Sequence, residues 1–222
     1  MKSKNTISIC RFLTQLLFLG LVIAGIVSFR AWMPVIIIVA VILGPVFCGW
    51  MCFVGFYQDF CRYIGSFIIK KPLEPSEKLQ NVLKYSRYVI LLSAVTIGGI
   101  FLFPQKVWGS LARALKGHIS FDLAFYCLIF LGILSLFTKR FFCRYFCPMG
   151  AKLGLYSLLR PITINRGNSC ASCKICSEEC PMGIQVDKTN SLASPNCINC
   201  LKCIEACPNN SLKFGIRNYL KP

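Results

Sequence analysis

Apolar residues in this chain gather in long runs rather than at alternate positions or on one stripe. The first run, Ile7 to Phe29, is broken chiefly by Arg11, Thr14 and Gln15, and a helix needs about 20 such residues to cross a bilayer core. The second, Pro34 to Phe56, follows a short turn at 30–34 with an interfacial tryptophan, Trp32, and carries Gly44-Pro45, where the missing proline N–H bends or ends a helix. Tyr85 to Phe103, closed by Pro104, is a third span, and Ser120 to Thr138, ahead of Lys139-Arg140, is a fourth. Between the second and third the period changes. From Phe56 to Lys71, Phe56, Phe60, Tyr63, Ile64, Phe67 and Ile68 share one face, with Gln58, Asp59 and Arg62 elsewhere, the pattern of an interfacial amphipathic helix.

The pattern predicts a membrane all-α four-helix bundle over residues 1–164, with helices near 7–29, 34–56, 85–103 and 120–138. A small α+β domain is expected over 165–222. Composition agrees, with 55% hydrophobic residues among 222 and a mean hydropathy of +0.61, more apolar than a soluble domain requires. Charge adds a direction. Lys and Arg number 25 against 8 Asp and Glu. Lys2, Lys4, Arg11, Arg62, Lys70, Lys71, Lys78, Lys84, Arg87, Lys139, Arg140, Arg144 and Lys152 fall on one side of the expected spans, and Arg30, Lys106, Arg113 and Lys116 on the other. The positive-inside rule then places both termini in the cytoplasm and the chain in the inner membrane, with the first run read as a span rather than a cleaved signal. Nucleic acid is not an expected partner, because no element shows a basic stripe with interleaved aromatics.

A weak internal repeat joins the two halves of the apolar region. Phe47-Cys48-Gly49-Trp50-Met51-Cys52-Phe53-Val54-Gly55 and Phe142-Cys143-Arg144-Tyr145-Phe146-Cys147-Pro148-Met149-Gly150 share an F-C-x-aromatic-x-C-x-x-G frame. Two hairpins ending in such motifs would be related by a pseudo-two-fold axis.

The cysteines change the picture most. There are 15, and eight form two runs, Cys170-x2-Cys173-x2-Cys176-x3-Cys180-Pro181 and Cys197-x2-Cys200-x2-Cys203-x3-Cys207-Pro208. In such runs three close thiolates hold one cubane and the fourth reaches the other cluster. Cys170, Cys173, Cys176 and Cys207 are therefore expected on one [4Fe–4S] cluster, and Cys197, Cys200, Cys203 and Cys180 on the second. Structural zinc is the competing reading of paired C-x2-C units. The segment from Asn165 to Lys213 resembles a bacterial dicluster ferredoxin, which implies a small βαβ-type duplication. It is mildly basic where such ferredoxins are acidic, a surface suited to acidic carriers such as ferredoxin or flavodoxin or to anionic headgroups, or else ordinary solvated charge.

The remaining motif cysteines are Cys48/Cys52 and Cys143/Cys147, each pair at i,i+4 and hence expected on one helix face. They are candidates for a third iron–sulfur site at the membrane surface, against buried free thiols or a redox disulfide. Taken with the four spans and the trailing cysteine runs, these motifs resemble the NapH/NosR-type membrane polyferredoxins, that is, the membrane ferredoxin subunit of periplasmic nitrate reductase systems and the C-terminal half of the nitrous-oxide reductase regulator. Phe53 departs from the proline that the family motif has at that point. Cys10, Cys61 and Cys127 are expected to pack, and His118 to be solvated. A single histidine argues against a multi-haem wire, and no glycine-rich dinucleotide fingerprint appears, so neither haem nor flavin is expected. The resemblance implies a non-catalytic electron-transfer subunit linking a quinol pool or cytoplasmic reductant to other redox subunits of a complex. A maturation factor delivering electrons to a metal centre or thiol, and a redox sensor, are the alternatives.

Overall fold

A computed structural model describes residues 6–24, 29–69, 72–73, 75–96, 123–167 and 169–217, together with Arg113 and Gly117. The chain divides into two compact units, one of Met1–Leu19, Val27–Cys52 and Leu153–Pro222, the other of Gly20–Ile26 and Phe53–Lys152. The C-terminal segment is built into the N-terminal helices by side chains that composition does not weigh.

In the first unit, α1 (Thr6–Ile23) and α2 (Phe29–Leu43) are apolar helices, and α2 runs through Pro34 instead of turning there. An internal proline forfeits one backbone bond, and the apolar run around it is helical nonetheless. The helix stops where the sequence contains Gly44-Pro45: Gly44 takes φ +83, a left-handed conformation that favours glycine, and its N–H caps back to Ala40 O at 3.0 Å. The expected 34–56 helix is thus three pieces, α2, the short α3 (Val46–Trp50) and the start of α4 (Phe53–Ile68).

The C-terminal part of this unit is framed by β1 (Ile162–Arg166) and β2 (Leu212–Ile216), antiparallel and in register from Ile162 with Ile216 to Arg166 with Leu212. Between them lie the two cysteine loops, each leading into one helical turn, α9 (Ile175–Glu178) and α10 (Lys202–Ala206). Hydrogen bonds tie this part to α1, α2 and α3. Trp50 Nε1 donates to Asn199 O at 2.9 Å, and Asn199 Nδ2 to Leu43 O at the end of α2. Glu205 Oε1 accepts the Ile7 and Ser8 amides at 2.9 and 3.2 Å, capping the first turn of α1. Gly49 is required by proximity, since a Cβ there would stand 2.6 Å from Ile198 O.

In the second unit α4 packs on α6 (Leu123–Phe137), and α5 (Glu77–Thr96) on the short α7 (Phe141–Tyr145). Small residues allow the close approach: a Cβ on Gly65 would lie 2.2 Å from Leu136 O, and one on Gly132 2.2 Å from Tyr57 Oη. The polar side of α4 faces inward. Gln58 accepts the Phe142 amide at 3.0 Å, Asp59 takes two bonds from Arg140 at 2.9 and 2.7 Å, and Arg62 donates to Leu136 O at 2.7 Å. Its apolar side faces out, with Phe67 75% and Ile68 77% exposed while Gln58 is 1% exposed. The same inversion recurs in α1, where Arg11 and Gln15 are buried and Leu13 and Leu17 exposed, and in α5, where Arg87 is buried and Val89 and Leu92 exposed.

Among the described residues, α1 is the one helix both long and apolar enough to cross a membrane; the apolar stretches Trp32–Leu43 and Phe125–Phe137 are shorter. Helix α5 begins eight residues before the expected third span, so its first turns are polar. Residues 97–103 and 120–122 of the expected spans, and Lys2, Lys4, Lys70, Lys71, Lys106, Lys116 and His118, lie outside the described residues.

Candidate metal centres

The two cysteine runs fold alike because the same backbone positions turn. Ser172 and Lys174 flank Cys173 with φ of 51 and 61, and Asn199 and Leu201 flank Cys200 with φ of 46 and 59. Left-handed residues on both sides of the middle cysteine curl the chain around a point, and such turns gather backbone N–H groups into anion-binding concavities. Lys174 and Leu201 then cap α9 and α10, whose second residues are Cys176 and Cys203.

The curled loops enclose two cavities. One, of about 370 Å³, is lined by Cys170, Cys173, Cys176 and Cys207. The other, of about 290 Å³, is lined by Cys180, Cys197, Cys200 and Cys203. The fourth cysteine of each run has thus crossed to the other run's cavity. Burial pushes the Cys180 thiol up to about 12, helped by the nearby Cys200 and Cys197, and it raises Cys203, whose closest charged neighbours are again Cys200, Cys197 and Cys180. Cys176 is raised by burial and also feels Asp187 and Cys207. The raised Cys176, Cys180 and Cys203 thiols would ligate as thiolates once cations replace their protons. Among the described residues no His, Cys, Asp or Glu group forms a single-ion site, and a ring of four thiols around a cavity suits a polynuclear core better than one tetrahedral ion. The residues present fit a [4Fe–4S] group in each cavity, which would supply one-electron chemistry.

The cavities differ in their walls. Cys173 is exposed and Cys170 and Cys207 half-buried, whereas Cys197, Cys200 and Cys203 are buried. Apart from its cysteines the second cavity is walled by Ile164, Pro181, Met182, Ile184, Leu192, Ile198 and Leu201, and Ile184 N–H points at Cys180 Sγ from 3.5 Å.

The two C-x3-C motifs adopt one backbone conformation in two places. Each begins a five-residue helix, α3 or α7, that ends at the aromatic residue. Each next residue has nearly the same torsions, φ −122 and ψ −21 at Met51 and φ −121 and ψ −15 at Phe146. The second cysteine of each bonds back to the phenylalanine carbonyl, Cys52 N to Phe47 O at 2.9 Å and Cys147 N to Phe142 O at 3.0 Å. The expected shared helix face is corrected by this. Cys48 and Cys143 sit inside the short helices, while Cys52 and Cys147 stand just before the following helices, α4 and α8 (Pro148–Tyr156). Proline at 148 suits the first helical position, and Gly150 N–H reaches Cys147 Sγ at 3.4 Å. Cys143 receives Gln58 Nε2 at 3.2 Å. Cys10 is exposed, and Cys61 and Cys127 are half-buried.

Sequence reasoning passed over Arg160, Asp187, Asn199, Glu205 and Gln58, all of which hold or border these sites. Spacing could not reveal them, since each acts through long-range contact; the clue available was that polar residues interrupt apolar runs.

Cavities ringed by four cysteines on duplicated loops define a ferredoxin-type iron–sulfur protein, and the comparisons agree. A family model described as "4Fe-4S binding domain" matches residues 15–72 and 123–165, and one described as "4Fe-4S dicluster domain" matches residues 162–208. The chain is 35% identical over 190 residues to "Uncharacterized protein MJ0750" of Methanocaldococcus jannaschii, covering 83% of this chain and 78% of that one. It is 29% identical to "Putative electron transport protein YccM" of Escherichia coli, over 82% of this chain and 54% of that one. Against "Ferredoxin-type protein NapH" of Haemophilus influenzae the figures are 27%, 82% and 66%. The chain belongs to the NapH/NosR-type polyferredoxin family. No solved structure matches it.

Proposed function

We propose that the chain is a membrane-anchored electron-transfer subunit that passes single electrons between a quinol pool or cytoplasmic reductant and a partner redox enzyme. In this reading Cys170, Cys173, Cys176 and Cys207 ligate one [4Fe–4S] cluster, and Cys180, Cys197, Cys200 and Cys203 ligate the other. The observation that carries it is the pair of four-cysteine cavities folded onto apolar helices within one unit. Anchoring is supported by the inverted helices: leaving Phe67, Ile68, Leu17 and Leu92 exposed while burying Gln58, Gln15 and Arg87 is unfavourable in water and favourable in lipid. With the termini on the cytoplasmic side, the cysteine loops meet cytoplasmic carriers.

Cys48, Cys52, Cys143 and Cys147 are proposed as ligands of a further iron–sulfur group. The shared backbone of the two motifs supports this, as does their inclusion in residues matched by a 4Fe-4S binding family. Iron and acid-labile sulfide measured in the full chain test it: Cys48→Ala and Cys143→Ala should each lose the same fraction, and unchanged content in both removes the proposal. For the function itself, membranes containing the mature partner enzyme should lose quinol- or reductant-dependent turnover when Cys200→Ser replaces the wild-type chain. Full turnover by that variant would instead favour a role in maturation or sensing.

A further inference from the structure

The two cavities differ in the charge around them: the first has both Asp187 and Arg166 in its wall, Arg166 donating to Asp187 O and, at 2.8 Å, to Asn190 Oδ1. Asp187 lines the cavity of Cys170, Cys173, Cys176 and Cys207 and is 9% exposed. Its carboxylate accepts the hydroxyl of Ser177, the residue after Cys176, and its own N–H reaches Ser177 Oγ at 3.2 Å. The other cavity has no charged wall. Behind it stands Arg160, with no exposed surface. Arg160 Nη2 donates to Leu192 O, in the cavity wall, and at 3.4 Å to Ser194 O, which also accepts the Cys197 N–H at 3.0 Å, so the guanidinium is held beside the Cys197 loop. Nε and Nη1 meet no oxygen acceptor among the described residues. The fold makes room for this side chain: a Cβ on Gly44 would lie 2.6 Å from Arg160 Nη1.

One added electron makes a thiolate-bound cubane one unit more negative, so a fixed cation beside it favours the reduced state and a fixed carboxylate opposes it. Burial of Cys197, Cys200 and Cys203 opposes reduction as well, and a guanidinium in the same dry surroundings offsets that penalty. We infer that Arg160 raises the reduction potential of the site at Cys180, Cys197, Cys200 and Cys203. Transfer from the exposed site to the enclosed one oxidises the first by one electron and reduces the second by one, and Arg160 favours that direction. The inference rests on the cluster assignment proposed above.

The experiment is a dithionite redox titration followed by electron paramagnetic resonance. It uses the anaerobically purified full chain in detergent, with iron and sulfide assayed on each sample. Arg160→Gln should shift one signal to lower potential by roughly tenfold in its reduced-to-oxidised ratio, about 59 mV for a one-electron couple, and leave the other in place. Arg160→Lys should restore most of the shift. Gly44→Ala, which presses on Nη1 without removing the charge, should disturb the same signal as Arg160→Gln and guards against a variant that loses iron. Wild-type iron content with unmoved or raised potentials in Arg160→Gln, or in both Arg160→Lys and Gly44→Ala if Arg160→Gln loses iron, overturns the inference. A wild-type chain without cubane signals from these cysteines overturns the assignment instead.

Discussion

The two cysteine cavities share a backbone and differ in their surroundings. Around Cys170, Cys173, Cys176 and Cys207 the wall is partly open, with Cys173 exposed. Around Cys180, Cys197, Cys200 and Cys203 it is apolar, and the loop Cys197–Cys200 is held from behind by the Trp50 bond to Asn199 O, with Gly49 close against Ile198 O. A duplicated sequence therefore yields two inequivalent sites once one copy docks on helices and the other does not. The local loop is set by local residues, and its exposure is set by what the chain elsewhere places against it.

The largest effect that would break this comparison comes from the crossed cysteines. Cys180→Ala should abolish the signal of the enclosed site and spare the open one, and Cys207→Ala should do the reverse; electron paramagnetic resonance of the reduced variants checks it. Loss of its own run's signal in either variant would mean that the fourth cysteines do not cross. Next comes the dock. Gly49→Val places a branched side chain against Ile198 O and should cost about 1–3 kcal/mol as overpacking does, with the enclosed site becoming as sensitive to oxygen as the open one, read as iron loss over time. A smaller effect separates the unaltered sites by access: a membrane-impermeant chelator should strip the open site first, giving two phases of iron release in proportion to the two signals. Trp50→Phe removes only the hydrogen bond to Asn199 O, about 0.5–1.5 kcal/mol, and should narrow the gap between those phases without changing total iron.

How much of this was legible depended on whether the information was local. The C-x2-C-x2-C spacing, the helix stop at Gly44-Pro45 and the common frame around Cys48 and Cys143 all act within a few residues, and the corresponding loops, break and shared torsions are present. The α4 helix was legible as amphipathic, with its faces divided as the periodicity implies. What the pattern could not supply was what Gln58, Asp59 and Arg62 do, because their partners Phe142, Arg140 and Leu136 are far off in sequence. The contacts of the cysteine-rich segment were illegible for the same reason: Asn199 reaches Leu43 O at the end of α2, and Glu205 the first amides of α1, both far off in sequence. The cysteine pairs were expected on continuous helices, but i,i+4 spacing does not reveal that a helix ends between the two residues, as it does after Trp50 and Tyr145.

The cap on α1 bears on the order in which the molecule is completed. The first turn of that helix has its amides at Ile7 and Ser8 satisfied by Glu205, a residue 198 and 197 positions further along the chain. During synthesis α1 leaves the ribosome well before Glu205, and its end stays open to water until the loop of Cys197–Cys203 has closed. Glu205 lies two residues beyond Cys203, on the same short helix, so whatever orders Cys203 also delivers the carboxylate. Helix α1 is thus finished by the arrival of the Cys197–Cys203 segment, and a chain stalled before that step would carry a frayed α1. Such an end is open to proteases that the finished protein would resist.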